Sequence, residues 1–141
     1  MRKNRKIRLV VDANIWVSAL LAQKFQVRTK IFFRPENLLV VSQELFDDLD
    51  NAARKPYLAK RIIRADYEEL ISKLKTVAEL VDVHSPVEIC RDPKDNFLLA
   101  LAKDGDADYL ITGDSDLRTL KEFEKTKIVT IKYFEEVFHE R

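Results

Sequence analysis

Short apolar runs recur along the chain, separated by stretches with helical spacing. Ile7-Arg8-Leu9-Val10-Val11, Leu38-Leu39-Val40-Val41, Tyr109-Leu110-Ile111 and Ile128-Val129 read as strands, most of them buried on both faces. Val81-Asp82-Val83 is a weaker strand. Between them, helices are predicted over residues 15–22, 25–34, 43–55, 57–64, 67–80, 93–104 and 133–139. Pro35 stops the second and Pro56 lies just past the third. Ser42 and Asp66 are expected to cap the third and fifth, and Asn14 the first. Asp92 followed by Pro93 opens the sixth, with Phe97, Leu98, Leu101 and Ala102 on one face. Gly105 is expected to end it in a left-handed cap. Trp16 and Cys90 are expected in the core.

Strands alternating with helices imply an α/β protein. The expected fold is three α/β/α layers around a central, mostly parallel sheet, in one domain over residues 1–141. Sheets of this kind hold their sites at the carboxyl ends of the strands, near the topological switch point.

Composition narrows the chemistry. With 141 residues, 46% apolar and 35% charged, the chain has the profile of a soluble globular protein, and a cytoplasmic location is the default expectation. No apolar run approaches the ~20 residues that cross a bilayer, and no secretion signal is recognised, so no membrane partner is expected. The net charge of +1 does not by itself point to nucleic acid. One cysteine excludes a disulfide framework and a thiolate zinc site. Two glycines, Gly105 and Gly113, exclude the Walker loop and the Rossmann fingerprint. Asp104-Gly105-Asp106-Ala107-Asp108 lacks the glycine and glutamate of a calcium-binding EF-hand loop.

Acids gather where the strands end. Asp12 follows the first strand, Glu44 lies in the helical turn after the second, and Asp114 lies just beyond the third. Asp95, in the first turn of the preceding helix, can swing to the same edge. Each has an ordinary reading as a helix cap or a first-turn acid. Together they repel: at ~5 Å and an effective dielectric of ~20, each pair costs roughly 3 kcal/mol. A hard divalent cation offsets that cost, and oxygen-only ligands select Mg²⁺ or Mn²⁺ over zinc. Such an ion suits hydrolysis of a phosphodiester.

Leu9-Val10-Val11-Asp12-Ala13-Asn14, Val40-Val41-Ser42-Gln43-Glu44-Leu45, Asp95-Asn96-Phe97-Leu98-Leu99-Ala100-Leu101-Ala102 and Tyr109-Leu110-Ile111-Thr112-Gly113-Asp114-Ser115-Asp116-Leu117 resemble, in order and spacing, the four acidic motifs of PIN domains. The likeness is closest to the bacterial and archaeal group described as toxin components of toxin–antitoxin pairs. The resemblance implies a Mg²⁺- or Mn²⁺-dependent ribonuclease acting on single-stranded RNA. Asp12, Glu44, Asp95 and Asp114 would be its catalytic, metal-binding acids, and Asn14, Asp116, Asp92 and Thr112 their supports. The last motif leaves Asp114 and Asp116 as alternatives for the fourth acid. Expected partners are an RNA substrate, a small antitoxin protein and a second copy of the chain in a homodimer.

Basic residues cluster at the N-terminus (Arg2, Lys3, Arg5, Lys6, Arg8) and over residues 54–64. In the second cluster Arg54, Lys55, Lys60, Arg61 and Arg64, with Tyr57 among them, form a candidate RNA-binding face. A solvated helical face would look the same. His84 and His139 have no nucleophile at recognisable spacing and are read as surface or packing residues. Two rival readings remain: an aspartate-nucleophile phosphatase, which would want an acid where Asn14 stands, and a non-catalytic RNA- or protein-binding module with a degenerate acidic site.

Overall fold

A computed structural model describes residues 5–22 and 25–138. Arg2, Lys3 and His139 lie outside them. Six strands form one sheet: β1 (Ile7–Val11), β2 (Asn37–Val41), β3 (Glu79–Leu80), β4 (Tyr109–Ile111), β5 (Glu122–Phe123) and β6 (Thr126–Val129). Their order is β3-β2-β1-β4-β6-β5, parallel throughout except for β5 against β6. The chain builds outward from β1 in one direction and then returns to build outward in the other. The switch point therefore lies between β1 and β4, where Val11 pairs with Ile111. Helices α1 (Ala13–Leu21), α2 (Phe25–Thr29), α3 (Gln43–Ala53), α4 (Pro56–Ala59), α5 (Arg64–Val77), α6 (Pro93–Asp104), α7 (Ser115–Arg118) and α8 (Ile131–Phe138) complete the α/β fold.

The predicted apolar runs are the sheet's interior. Leu9, Val10, Val40, Leu110 and Ile111 are fully buried, as strands covered on both sides must be. Trp16 of α1 is buried and meets Phe32 edge-on at 5.2 Å. Cys90 is only partly buried. On α6, Leu98, Leu101 and Ala102 are buried, and Phe97 lies at the margin.

Several boundaries differ from the sequence reading. The predicted 25–34 helix is α2 followed by a tighter 3₁₀ turn, Lys30–Phe33. The predicted 57–64 helix is the short α4, because Arg61 and Ile62 both donate back to the Leu58 carbonyl in a closing turn. Helix α5 begins at Arg64, so Asp66 sits in its first turn and is not its cap. It ends at Val77, and the edge strand is Glu79–Leu80 instead of residues 81–83, paired with Val40 and Val41. Gly105 is not left-handed: its φ is −87° and the left-handed residue is Asp106, with φ 54°. Gly105 answers to space instead. A Cβ there would run into the Val40 side chain and sit 2.9 Å from the Leu101 carbonyl oxygen.

Residues 81–92 cross the outside of α6 as an extended strap. At one end, His84 and Ser85 backbone N–H groups donate to Asp104 Oδ2 at 2.6 and 2.9 Å. At the other end, Cys90 N–H donates to Asn96 Oδ1 at 2.7 Å, and Asn96 Nδ2 donates to the Cys90 carbonyl at 3.0 Å. His84 is exposed, with its Nδ1 3.3 Å from Asp104.

Candidate active site

The site is built where β1 and β4 end side by side. Asp12 follows Val11 directly and caps α1, its Oδ1 accepting from the Asn14 N–H at 3.1 Å. Asp12, not Asn14, is thus the cap. Its second oxygen accepts from the Thr112 hydroxyl at 2.7 Å. Thr112 Oγ1 in turn accepts from the Asp114 N–H at 3.1 Å. Asp114 caps α7 through Oδ1, which accepts from Asp116 and Leu117 N–H groups at 2.8 and 3.2 Å. Thr112 is therefore the hinge between two acids brought together by the sheet.

Asp95 enters from α6. Asp-Pro at the helix start fixes the register: Asp92 Oδ1 accepts from the Lys94 N–H at 2.9 Å, and the Asp92 carbonyl accepts from Asp95 N–H. Asp95 is then turned inward, with 5% of its surface exposed. No hydrogen bond or ion pair to its carboxylate occurs among the described residues. Burial first, then the negative charges of Asp114, Asp92, Asp12 and Asp116, push its pKa up to about 6. One carboxylate oxygen each from Asp95, Asp114 and Asp116 lie within 4.8 Å of one another.

A cleft of about 130 Å³ opens over these groups. Asp12, Asn14, Asp92, Asp95 and Asp114 line it, facing Asp48, Asn51 and Lys55 from the α3 side and Lys94 from α6. Glu44 is exposed and is not among the lining residues; Asp48, one turn further along α3, is. Burial raises the Asp48 pKa; Lys94 opposes this, while Asp12, Asp47 and Glu44 add to it. Sequence reasoning missed Asp48 and Lys94. The i, i+4 spacing from Glu44 to Asp48 was the available signal.

Asp116 sits at the rim, where Arg91 Nη2 donates to both of its oxygens at 3.1 and 2.9 Å. Burial and the surrounding acids push the Cys90 thiol up, away from the thiolate a nucleophile needs. Of the basic residues over 54–64, Lys55 faces the cleft. Arg54 is bound to Asp50 at 2.7 Å and Arg64 to Glu68 at 3.1 Å. Lys60 and Arg61 are exposed. In the N-terminal cluster, Arg8 donates to Glu79 and to the Gly105 carbonyl, and Arg5 to Asp108, so both serve the fold.

The unpartnered Asp95 carboxylate facing the cleft and a close trio of carboxylate oxygens fit a hard divalent cation. A family model described as PIN domain matches residues 8–116, from β1 through Asp116, and so contains every acid of the cleft. The chain belongs to the PIN domain family. PIN domains are generally metal-dependent nucleases, which makes this chain a member of a nuclease superfamily carrying a cluster of acids where such chemistry would be done. An uncharacterized protein of Methanocaldococcus jannaschii, MJ1680, is 26% identical over 145 residues, covering 94% of this chain and 92% of its own. The PIN fold here is similar to the crystal structure of PAE2754 from Pyrobaculum aerophilum, with TM-score 0.64 and 17% identity over 96% of this chain and 91% of that one. No described helix is long and apolar enough to cross a membrane.

Proposed function

We propose that this PIN domain is a Mg²⁺- or Mn²⁺-dependent endoribonuclease that hydrolyses phosphodiester bonds of single-stranded RNA. The observation carrying this is Asp95: a residue 5% exposed, its carboxylate opening only to the cleft, without a hydrogen-bond partner among the described residues and facing two further carboxylates within 4.8 Å. A carboxylate without a partner among other negative charges costs stability unless something offsets the repulsion.

Asp95, Asp114 and Asp116 would hold the cation, with Asp12 beside them. Glu44 and Asp48 are the α3 acids available to the same cleft. When bound, the cation supplies Lewis acidity and neutralises the charge that develops on the phosphate. The chain's own residues do the rest. Thr112 fixes the orientations of Asp12 and Asp114, and Asn14 stands next to Asp12 at the mouth of the cleft. The negative charges that help push the Asp95 pKa up to about 6 in the cation-free protein are the ones a bound cation would offset. Lys55 and Lys94, lining an otherwise acidic cleft, offset the repulsion between carboxylates and incoming RNA. Lys60, Arg61 and exposed Tyr57, with Arg54 and Arg64 near them, extend this surface as the RNA track. A small antitoxin protein covering the cleft and a homodimer are the protein partners this reading invites.

The test is cleavage of a labelled single-stranded RNA with Mg²⁺, with Mn²⁺ and with chelator. Wild type is expected to cut only with cation, and D12N and D95N at least 100-fold more slowly, about 3 kcal/mol of lost transition-state stabilisation. Equal cutting by all three proteins, or no cation binding by wild type, would refute it; the latter would favour a binding module.

A further inference from the structure

Arg91 stands where the strap meets α6. Its backbone is fixed from both sides, by the paired Cys90–Asn96 hydrogen bonds before it and the Asp92 cap after it. Its side chain, by contrast, is 87% exposed. Among the described residues it is the one cation in an ion pair with a member of the acidic trio, and Asp116 is that member. A single nitrogen, Nη2, spans both Asp116 oxygens. The remaining guanidinium donors have no partner among the described residues.

This pair adds little to the fold, because an exposed ion pair contributes about 0–1 kcal/mol. Its consequences are electrostatic and geometric. While Arg91 occupies both oxygens, Asp116 cannot offer one freely to a cation. A cleft with this many acids also repels a phosphodiester, and a planar guanidinium with unused donors suits a phosphate's oxygens. The arm is long, its backbone is held by hydrogen bonds on either side, and an exposed ion pair is easily exchanged.

We propose that Arg91 is a substrate-positioning residue with two stations: Asp116 in the cation-free protein, and a phosphate of the RNA strand once Asp116 serves the cation. This rests on the ribonuclease reading above. Lys55 and Lys94 face the cleft but touch no acid of the trio, so their contribution to RNA binding is separate from the exchange at Asp116.

The test compares wild type with R91Q and R91K. Because the side chain is exposed, both variants are expected to fold, as circular dichroism would show. Calorimetry with Mn²⁺ and no RNA should find binding to R91Q about two- to five-fold tighter than wild type, the worth of a released surface pair. Cleavage of a short labelled single-stranded RNA should show KM raised about ten-fold in R91Q with kcat within about three-fold, and R91K in between. R91Q that matches wild type in Mn²⁺ affinity and in KM overturns the role of Arg91 while leaving the nuclease intact. Wild type that neither binds Mn²⁺ nor cuts RNA instead removes the reading beneath it.

Discussion

The Thr112 hydroxyl donates to Asp12 Oδ2 at 2.7 Å, joining two buried residues that are 100 positions apart. The bond crosses the switch point of the sheet and sets one face of the acidic cleft. Thr112→Val keeps the shape but leaves Asp12 with one fewer donor. We expect a loss of about 1–3 kcal/mol in urea unfolding and a fall in RNA cleavage, with Thr112→Ser restoring most of both.

Asp95 sets a pH dependence with a definite sign. Its folded pKa, about 6, lies above the ordinary 3.8, so the folded protein binds more protons than the unfolded chain between these values. Stability of the cation-free protein should therefore fall as pH rises from about 4 to 6, by up to about 3 kcal/mol from this group, and level off above. D95N should lack that slope. The difference between wild type and D95N, measured by urea unfolding from pH 4 to 8 with chelator, isolates it. D95N no more stable than wild type at pH 8 would contradict the assignment. Adding Mn²⁺ should raise the melting temperature of wild type and not of D95N.

Helix α3 offers two acids, and they should not be equivalent. Asp48 lines the cleft while Glu44 is exposed one turn away. D48N is expected to weaken Mn²⁺ binding and cleavage about ten-fold, and E44Q by less. Calorimetry on both variants decides; a larger effect at Glu44 would return the α3 role to it.

Gly105→Ala should destabilise the protein without touching the site. The new methyl meets Val40, a stiff β-branched residue fully buried in β2, and the Leu101 carbonyl oxygen. Overpacking of this kind costs about 1–3 kcal/mol, and Mn²⁺ affinity of the folded protein should stay within about two-fold.

How much of this was legible in the sequence depends on the element. Strand runs such as Leu9-Val10-Val11 and Leu110-Ile111 are legible because burial on both faces leaves only apolar choices, and acids that follow them stand out. Asp12 and Asp114 come from that signal. Asp95 is legible through its Asp-Pro cap, which fixes the register of α6. Asp48 is not, since helical periodicity does not say which turn of α3 meets the sheet edge. Strand β5 is not legible, because two residues, Glu122 and Phe123, between left-handed Lys121 and Glu124 carry no period to read. The position of the edge strand at Glu79–Leu80 is not legible, because α5 and β3 join with no glycine or proline between them. The role of Gly105 is not legible, because its conflict with Val40 involves a residue 65 positions away, which no local pattern contains.

The most direct measurement is the structure of crystals soaked in Mn²⁺, with anomalous scattering to locate the ion. A peak bound by oxygens of Asp95 and Asp114, with Asp116 or Asp12 completing the set, is the expected result. No peak in this cleft at saturating Mn²⁺, or one bound only by acids elsewhere on the surface, would contradict the metal-dependent nuclease.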